Sequence, residues 1–360
     1  MKYYSLSAIK KKKATYNVII GERSNGKTYA CLLEVVKKYF ENGSRFAYVR
    51  RWQDDIRGRR GQAVFSSLVN NGEIEKYSKG LYTGVHYYSG KFYFCTYDDK
   101  GKAVYSDVSC FGHLFALTGM EHDKSTSYPL VENVIFDEFL TKGTYLPDEF
   151  VLFMNVLSTI IRRRENVKIY MLGNTVNRFS PYFSEMGLTN IGKQKQGTID
   201  LYRYGEGTLT VAVEYCSPMD INSKANSMYF AFDNPKLNMI TSGAWELDIF
   251  PHLPVKYKPK NILFVYYIKF DCEVYQCNII NVNDDYFTYI HKKTTPIRNE
   301  EDNIVYSFEH SLKRNHSKNM LRPLNNIHKK ILYFFQCDKV FYQDNTVGNA
   351  IQNYIKCCRG

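Results

Sequence analysis

The chain has 360 residues, 44% of them hydrophobic and 16% aromatic, enough for two domains with cores of their own. A formal net charge of +12 favours polyanionic partners, of which nucleic acid is the commonest. No apolar stretch approaches the ~20 residues of a membrane span, the N-terminus shows no signal-peptide pattern, and the nine cysteines form neither C-x-x-C nor zinc-like spacing, which points to reduced thiols in a cytosol.

In chain order, the apolar run Tyr16-Asn17-Val18-Ile19-Ile20 reads as a first strand. Gly21-Glu22-Arg23-Ser24-Asn25-Gly26-Lys27-Thr28 follows it directly and spells G-x-x-x-x-G-K-T, the phosphate-binding P-loop, in the strand–loop–helix setting that motif requires. Its glycines let successive backbone N–H groups turn inward on a β-phosphate, and the helix that begins near Lys27 adds its positive end. Lys27 reaches the β- and γ-phosphates in such loops, and the hydroxyl at the Thr28 position ligates Mg²⁺. Gly21 to Tyr29 therefore form the candidate nucleotide-binding segment, with ATP and Mg²⁺ as the expected ligands. The helix runs from Lys27 to Phe40 and ends at Asn42-Gly43-Ser44.

Arg45 to Arg50 is a second strand, and Arg50-Arg51-Trp52 opens an arginine-rich stretch with Arg57, Arg59 and Arg60. Residues 80 to 118 suggest a β-meander, with a hairpin turn at Ser89-Gly90. Asn133-Val134-Ile135-Phe136-Asp137-Glu138 is a short apolar strand ending in two carboxylates, the Walker B pattern. In that pattern Asp137 holds the Mg²⁺ shell and Glu138 polarises the attacking water. Asp148 to Arg164 has helical periodicity and ends in Arg162-Arg163-Arg164, which is compatible with two readings: cations complementing a helix C-terminus, or an arginine finger offered to a neighbouring subunit. Val167 to Leu172 is another buried strand. The Gly173-Asn174-Thr175 that closes it is either ordinary turn chemistry or a contact to the γ-phosphate. Thr208 to Tyr215 alternates like the last strand of this domain.

Residues 217 to 258, rich in Pro, Asn, Ser and Gly, read as a linker between an ATPase domain (1–216) and a C-terminal domain (259–360). Strands are expected at Asn261 to Phe270, Glu273 to Val282 and Tyr286 to His291. Helices are expected over Ile304 to His316, Pro323 to Cys337 and Val347 to Cys358. Between Ser311 and Lys330 there are six basic residues and no acidic one. No second set of nucleotide-binding motifs follows Asn261, which argues against a helicase with two RecA-like domains.

The combination of G-E-R-S-N-G-K-T, Y-V-R-R-W, I-F-D-E-F, T-I-I-R-R-R-E and M-L-G-N-T resembles the DNA-packaging ATPases of small tailed bacteriophages, the Salasvirus-like group, within the terminase-like branch of P-loop ring motors. Arg23, Asp123-Lys124-Ser125 and Arg162 narrow the resemblance to that group. It implies an α/β P-loop NTPase domain of the additional-strand catalytic-glutamate (ASCE) type, followed by a linker and a smaller RNase H-like α/β domain without nuclease activity. Residue by residue it implies phosphate and Mg²⁺ binding by Lys27 and Thr28, and a catalytic Glu138 beside Asp137. It makes Arg162 a trans-acting finger, with Lys124 a second basic residue acting across the interface and Arg23 a phosphate sensor within its own subunit. Asn174 joins the nucleotide site. Arg57, Arg59 and Arg60 are candidates for a DNA-contacting loop; a solvated surface loop is the other reading. Implied partners are double-stranded DNA, the portal of a prohead, further copies in a ring described as a pentamer and, in some relatives, a packaging RNA, with no membrane. The implied setting is the host cytoplasm, transiently docked on the prohead and absent from the mature virion. Two alternatives stand beside this reading: a nuclease-competent large terminase, and a P-loop switch that binds ATP without acting as a motor.

Overall fold

The computed structural model describes residues 3–122, 127–218, 245 and 248–359. They divide into two units, Met1–Trp245 and Glu246–Gly360. The sequence-derived linker 217–258 and Lys124 lie largely or wholly outside the described residues.

In the first unit the strands are β1 (Tyr16–Gly21), β2 (Arg45–Arg50), β3 (Gly84–Tyr88), β4 (Lys91–Tyr97), β5 (Ala103–Val104), β6 (Cys110–Ala116), β7 (Val131–Asp137), β8 (Lys168–Asn174), β9 (Thr198–Tyr204) and β10 (Leu209–Tyr215). They form one sheet in the order β3-β4-β6-β2-β7-β8-β1-β10-β9, with β5 on the side of β4. From β6 through β10 the strands run parallel, so their C-terminal ends share one edge. Ligands of open α/β sheets bind at that edge. The meander expected over 80–118 is present as β3, β4 and β6, but β6 also pairs in parallel with β2 and so ties the hairpin to the main sheet. The turn Ser89-Gly90 has positive φ at both residues (47° and 76°), the backbone that suits a two-residue hairpin.

The helices are α1 (Ser7–Lys10), α2 (Lys27–Asn42), the short α3 (Arg59–Ala63), α4 (Ser66–Asn70) and α5 (Glu73–Tyr77), then α6 (Glu149–Ile161) and α7 (Pro181–Glu185). The sheet is buried on both faces, which is why strands such as β1 and β7 are runs of apolar residues and do not alternate. One face packs Val18, Ile20, Val49 and Phe136 under α6 and α7, through Phe153, Leu157 and Tyr182. The other packs Ile19, Tyr48, Ile135 and Leu172 under α2, through Cys31, Leu32, Val35 and Val36. Helix α2 stops at Gly43, whose φ of 74° lets its N–H reach the Tyr39 carbonyl.

The second unit holds a six-stranded sheet of β11 (Ile262–Phe270), β12 (Glu273–Val282), β13 (Asp285–Lys292), β14 (Ile304–Ser307), β15 (His316–Ser317) and β16 (Val340–Tyr342), with α8 (Asn326–Gln336) and α9 (Asn345–Arg359). The order is β15-β14-β11-β12-β13-β16. A three-strand meander with two parallel strands added beside β11 fits the RNase H-like expectation, while β16 extends the far edge. The helix expected over Ile304 to His316 is a correction: this segment is β14, a loop and β15. Ile304, Val305 and Tyr306 pair with Tyr266, Tyr267 and Ile268 of β11, and Val305 and Tyr306 are buried there. Pairing to a central strand overrides a weak local helical pattern.

Candidate nucleotide site and its relatives

Strand order builds the site. β8 lies between β1, which leads into the P-loop, and β7, which ends in the two carboxylates. Register then sets Asn174 opposite Gly21, and Leu172 opposite Asp137. A cleft of about 640 Å³ opens at this edge. Its walls are the loop from Arg23 to Tyr29, the pair Asp137 and Glu138, the segment from Leu140 to Gly143, and the end of β8 at Asn174.

The loop turns through Ser24 (φ 62°) and Gly26 (φ 93°), left-handed conformations that only glycine adopts without cost. Lys27 is buried, and its Nζ donates to the carbonyls of Gly21 (3.3 Å) and Glu22 (2.7 Å), and to Oδ1 of Asn25 (3.1 Å) and of Asn174 (3.2 Å). Gly21 and Glu22 thus stand behind the lysine and do not line the cleft. Arg23 and Ser24 are exposed at its mouth. Thr28 Oγ1 donates to Asp137 Oδ2 at 3.1 Å. Tyr29 lines the cleft, and its hydroxyl donates to Glu73 Oε1 at 3.2 Å. The Asp137 carboxylate also accepts the Tyr48 hydroxyl at 2.6 Å and the Glu138 N–H at 3.0 Å. Glu138 has a φ of 58°, which swings its side chain off the strand line and leaves it exposed.

Several residues of this site carry no motif signal. Tyr48 and Arg50 alternate with Val49 on β2, so both face Asp137. Arg50 Nη2 donates to Glu138 Oε2 at 2.6 Å, and its Nη1 lies 4.0 Å from Asp137. Burial disfavours the Arg50 charge, but the carboxylates of Glu138 and Asp137 favour it, and the guanidinium is held above its ordinary pKa. Burial, with Asp137 next to it, pushes the Tyr48 phenol well up, so it stays a donor. The period-2 pattern of Y-V-R could have signalled that pair; nothing in the sequence signals the cleft wall Thr141-Lys142-Gly143.

The three arginines after α6 separate. Arg162 is exposed and caps the helix in the left-handed region (φ 42°), its N–H bonded to the Ser158 carbonyl. Arg163, also at positive φ, is exposed. Arg164 turns back and donates to the carbonyls of Tyr128, Pro129, Ile160 and Ile161 at 2.8–3.1 Å. Arg164 therefore anchors the turn that presents Arg162. Arg57, Arg59 and Arg60 sit together in the exposed connection after β2. Arg57 makes a loose pair with Asp54 at 3.6 Å, whereas Arg60 Nη1 donates to the Asp54 carbonyl at 2.8 Å and lies 3.9 Å from the Asp55 carboxylate.

The carboxylates of the second unit do not gather. Asp271 and Glu273 are at the β11–β12 turn, and Asp284 and Asp285 at the β12–β13 turn. The ten residues of β12 between those turns span roughly 33 Å. Glu273 pairs with Lys292 at 2.6 Å, and Asp344 caps the Val347 N–H at 2.9 Å. Among the described residues no cluster of three or more His, Cys, Asp or Glu is placed to hold a metal ion.

A P-loop followed by a Walker B strand, with one further strand between them, defines a P-loop NTPase of the ASCE type. The chain belongs to the Podovirus DNA encapsidation protein (Gp16) family, whose model matches residues 1–202. It is similar to the DNA packaging protein of Bacillus phage B103, at 29% identity over 175 residues (48% of each chain). It is similar in the same way to that of Bacillus phage phi29, at 29% identity over 170 residues (46% of this chain, 45% of the relative). The chain spans about half the length of the curated relatives it matches. Among solved structures it resembles the bacteriophage Phi-29 viral genome packaging motor assembly, with a TM-score of 0.58 at 20% identity, covering 98% of this chain and 99% of that one. The Phi-28 gp11 DNA packaging motor gives a TM-score of 0.54 at 18% identity, covering 99% and 98%. Those two likenesses establish the fold across both units.

Proposed function

We propose that the chain is the ATP-hydrolysing subunit of a viral packaging motor, which drives double-stranded DNA through a portal into a prohead. One observation carries this reading. In a member of the encapsidation family, the additional strand β8 brings Lys27, Thr28, Asp137, Glu138 and Asn174 to one cleft of nucleotide size.

Each residue then has work that its position suits. Lys27 binds the phosphates, exchanging the carbonyl partners it holds here for phosphate oxygens. Thr28 and Asp137 fit a hard divalent cation, with their oxygens 3.1 Å apart and Asp137 oriented by Tyr48. They would hold Mg²⁺, which when bound neutralises charge on the transferring phosphoryl group. Glu138 orients the attacking water and accepts its proton. Asn174, bonded to Lys27, reports the state of the γ-phosphate. Hydrolysis occurs between subunits of a ring, a pentamer by resemblance. There the neighbour's Arg162 stabilises the transition state, an effect worth about 10³–10⁵ in rate in other NTPases, with Lys124 assisting across the interface and Arg23 in cis. Arg57, Arg59 and Arg60 are exposed, and their ion pairs at 3.6 and 3.9 Å are weak surface contacts, which suits them to DNA phosphates; these carry no sequence information and suit a motor that must move any sequence. The dispersed carboxylates of the second unit support a domain without nuclease activity, turned to DNA or portal contact through the basic stretch Lys313 to Lys330. The motor acts in the host cytoplasm, docked transiently on the prohead, in some relatives through a packaging RNA.

The test is steady-state ATP hydrolysis with and without long double-stranded DNA, for the wild type and Glu138→Gln. DNA-stimulated hydrolysis that is lost in the variant is expected. Hydrolysis indifferent to DNA, with the portal also present, would favour an ATP switch. DNA cleavage with Mn²⁺ that disappears in Asp271→Ala would establish a nuclease.

A further inference from the structure

Adjacent residues at the end of β2 point to opposite sides. Arg50 faces the carboxylates of the cleft, whereas Arg51 turns beneath them and is 5% exposed. Arg51 Nε donates to Glu149 Oε2 at 2.8 Å, Nη2 to the Phe139 carbonyl at 2.7 Å and Nη1 to the Glu138 carbonyl at 3.3 Å. Its guanidinium also lies over the Tyr145 ring, 5.1 Å from the centroid. Glu149, the first residue of α6, is 1% exposed. Its carboxylate additionally accepts the Leu146 N–H and the Tyr182 hydroxyl, both at 2.8 Å.

A buried, multiply hydrogen-bonded ion pair therefore joins the backbone of the carboxylate loop to the start of α6. At the other end of the same helix sits Arg162. Thirteen residues of helix make a rod of roughly 20 Å. A buried pair of this kind contributes little net stability compared with an apolar replacement, but it fixes geometry, because breaking one side leaves an uncompensated buried charge.

We propose that Arg51 and Glu149 are positioning residues that lock the backbone of Glu138 to α6, so that a shift of the carboxylate loop in one subunit moves the Arg162 that the helix offers to the next. The inference rests on the ATPase reading above. Neither residue touches the nucleotide cleft; they act through Glu138 and α6.

The experiment compares Arg51→Lys and the apolar pair Arg51→Met/Glu149→Leu with the wild type. Readouts are nucleotide affinity by titration of a fluorescent ATP analogue, kcat and KM for ATP, and thermal stability. Wild-type protein without ATPase activity would remove the underlying reading and leave this one with no basis. If wild type is active, Arg51→Lys is expected to bind nucleotide within twofold of wild type while kcat falls about tenfold to a hundredfold, the scale of a small misplacement transmitted to a reacting group. The double variant leaves no unpaired charge, so it is expected to fold and melt near wild type and still to show the low kcat. That separates positioning from stability if Arg51→Lys fails to fold. Recovery of kcat together with stability in the double variant, or affinity falling in parallel with kcat, would overturn the inference.

Discussion

Replacing Gly21 by alanine should damage the P-loop through a neighbour on another strand. A Cβ at residue 21 would lie 2.8 Å from Cys216 Cβ, 3.0 Å from Asn25 Nδ2 and 3.2 Å from Cys216 Sγ. Cys216 is held by its N–H to the Ile20 carbonyl at 2.8 Å, so the Asn25 side chain must yield, by about 0.5 Å to regain ordinary contact. Asn25 Oδ1 accepts from both the backbone N–H and the Nζ of Lys27, at 3.2 and 3.1 Å. Overpacking of this kind costs about 1–3 kcal/mol of stability. Loosening half of a charge-assisted bond at Lys27 costs about 1 kcal/mol of nucleotide binding, roughly fivefold in Kd. The assays are urea denaturation and titration with a fluorescent ATP analogue. In Gly21→Ala/Cys216→Gly the methyl gains room on the Cys216 side, and both losses should be at least half recovered. Wild-type affinity in the single variant, or no recovery of affinity in the double, would refute the steric argument.

Three further outcomes are expected. Arg164→Ala strips a half-buried guanidinium from a set of backbone carbonyls and should cost about 1–3 kcal/mol in denaturant titrations, whereas the exposed Arg162→Ala should fall within about 0.5 kcal/mol of wild type. A Cβ at Gly112 would sit 2.0 Å from Phe46 Cε1, within an aromatic cluster of Phe46, Phe65, Phe92 and Phe111. Gly112→Ala should therefore destabilise by about 3 kcal/mol, and Phe46→Leu in the same chain should be less than additive. His113 is held neutral to about pH 4, by burial first and then by Arg45 and Lys91. Between that value and its ordinary 6.5 the unfolded chain binds the extra proton, so stability present above pH 6.5 is lost as pH falls to 4. His113→Gln should remove up to about 3 kcal/mol of that acid-side loss, read as the difference between the two proteins' pH–stability curves.

The parts of this protein legible in the sequence are those whose chemistry is local. A phosphate loop must have its glycines, lysine and threonine in one run, because consecutive backbone groups make the cradle, and the apolar strands on either side announce a buried parallel sheet. Helix ends at Gly43 and the hairpin at Ser89-Gly90 were legible because positive φ selects few residue types. Tertiary structure decided what depends on pairing. Nothing local distinguishes Ile304–Ser307 as a strand until β11 offers it an edge. Of three successive arginines, only the packing around residues 128–131 makes Arg164 an anchor and leaves Arg162 outside. Insertion of β8 between β1 and β7 brings Asn174 to Lys27 across 147 positions of chain, and the end of β2 supplies Tyr48, Arg50 and Arg51 to the carboxylate loop. Those meetings rest on strand order and register, which no stretch of the chain contains by itself, since each strand's partner is chosen by the sheet as a whole.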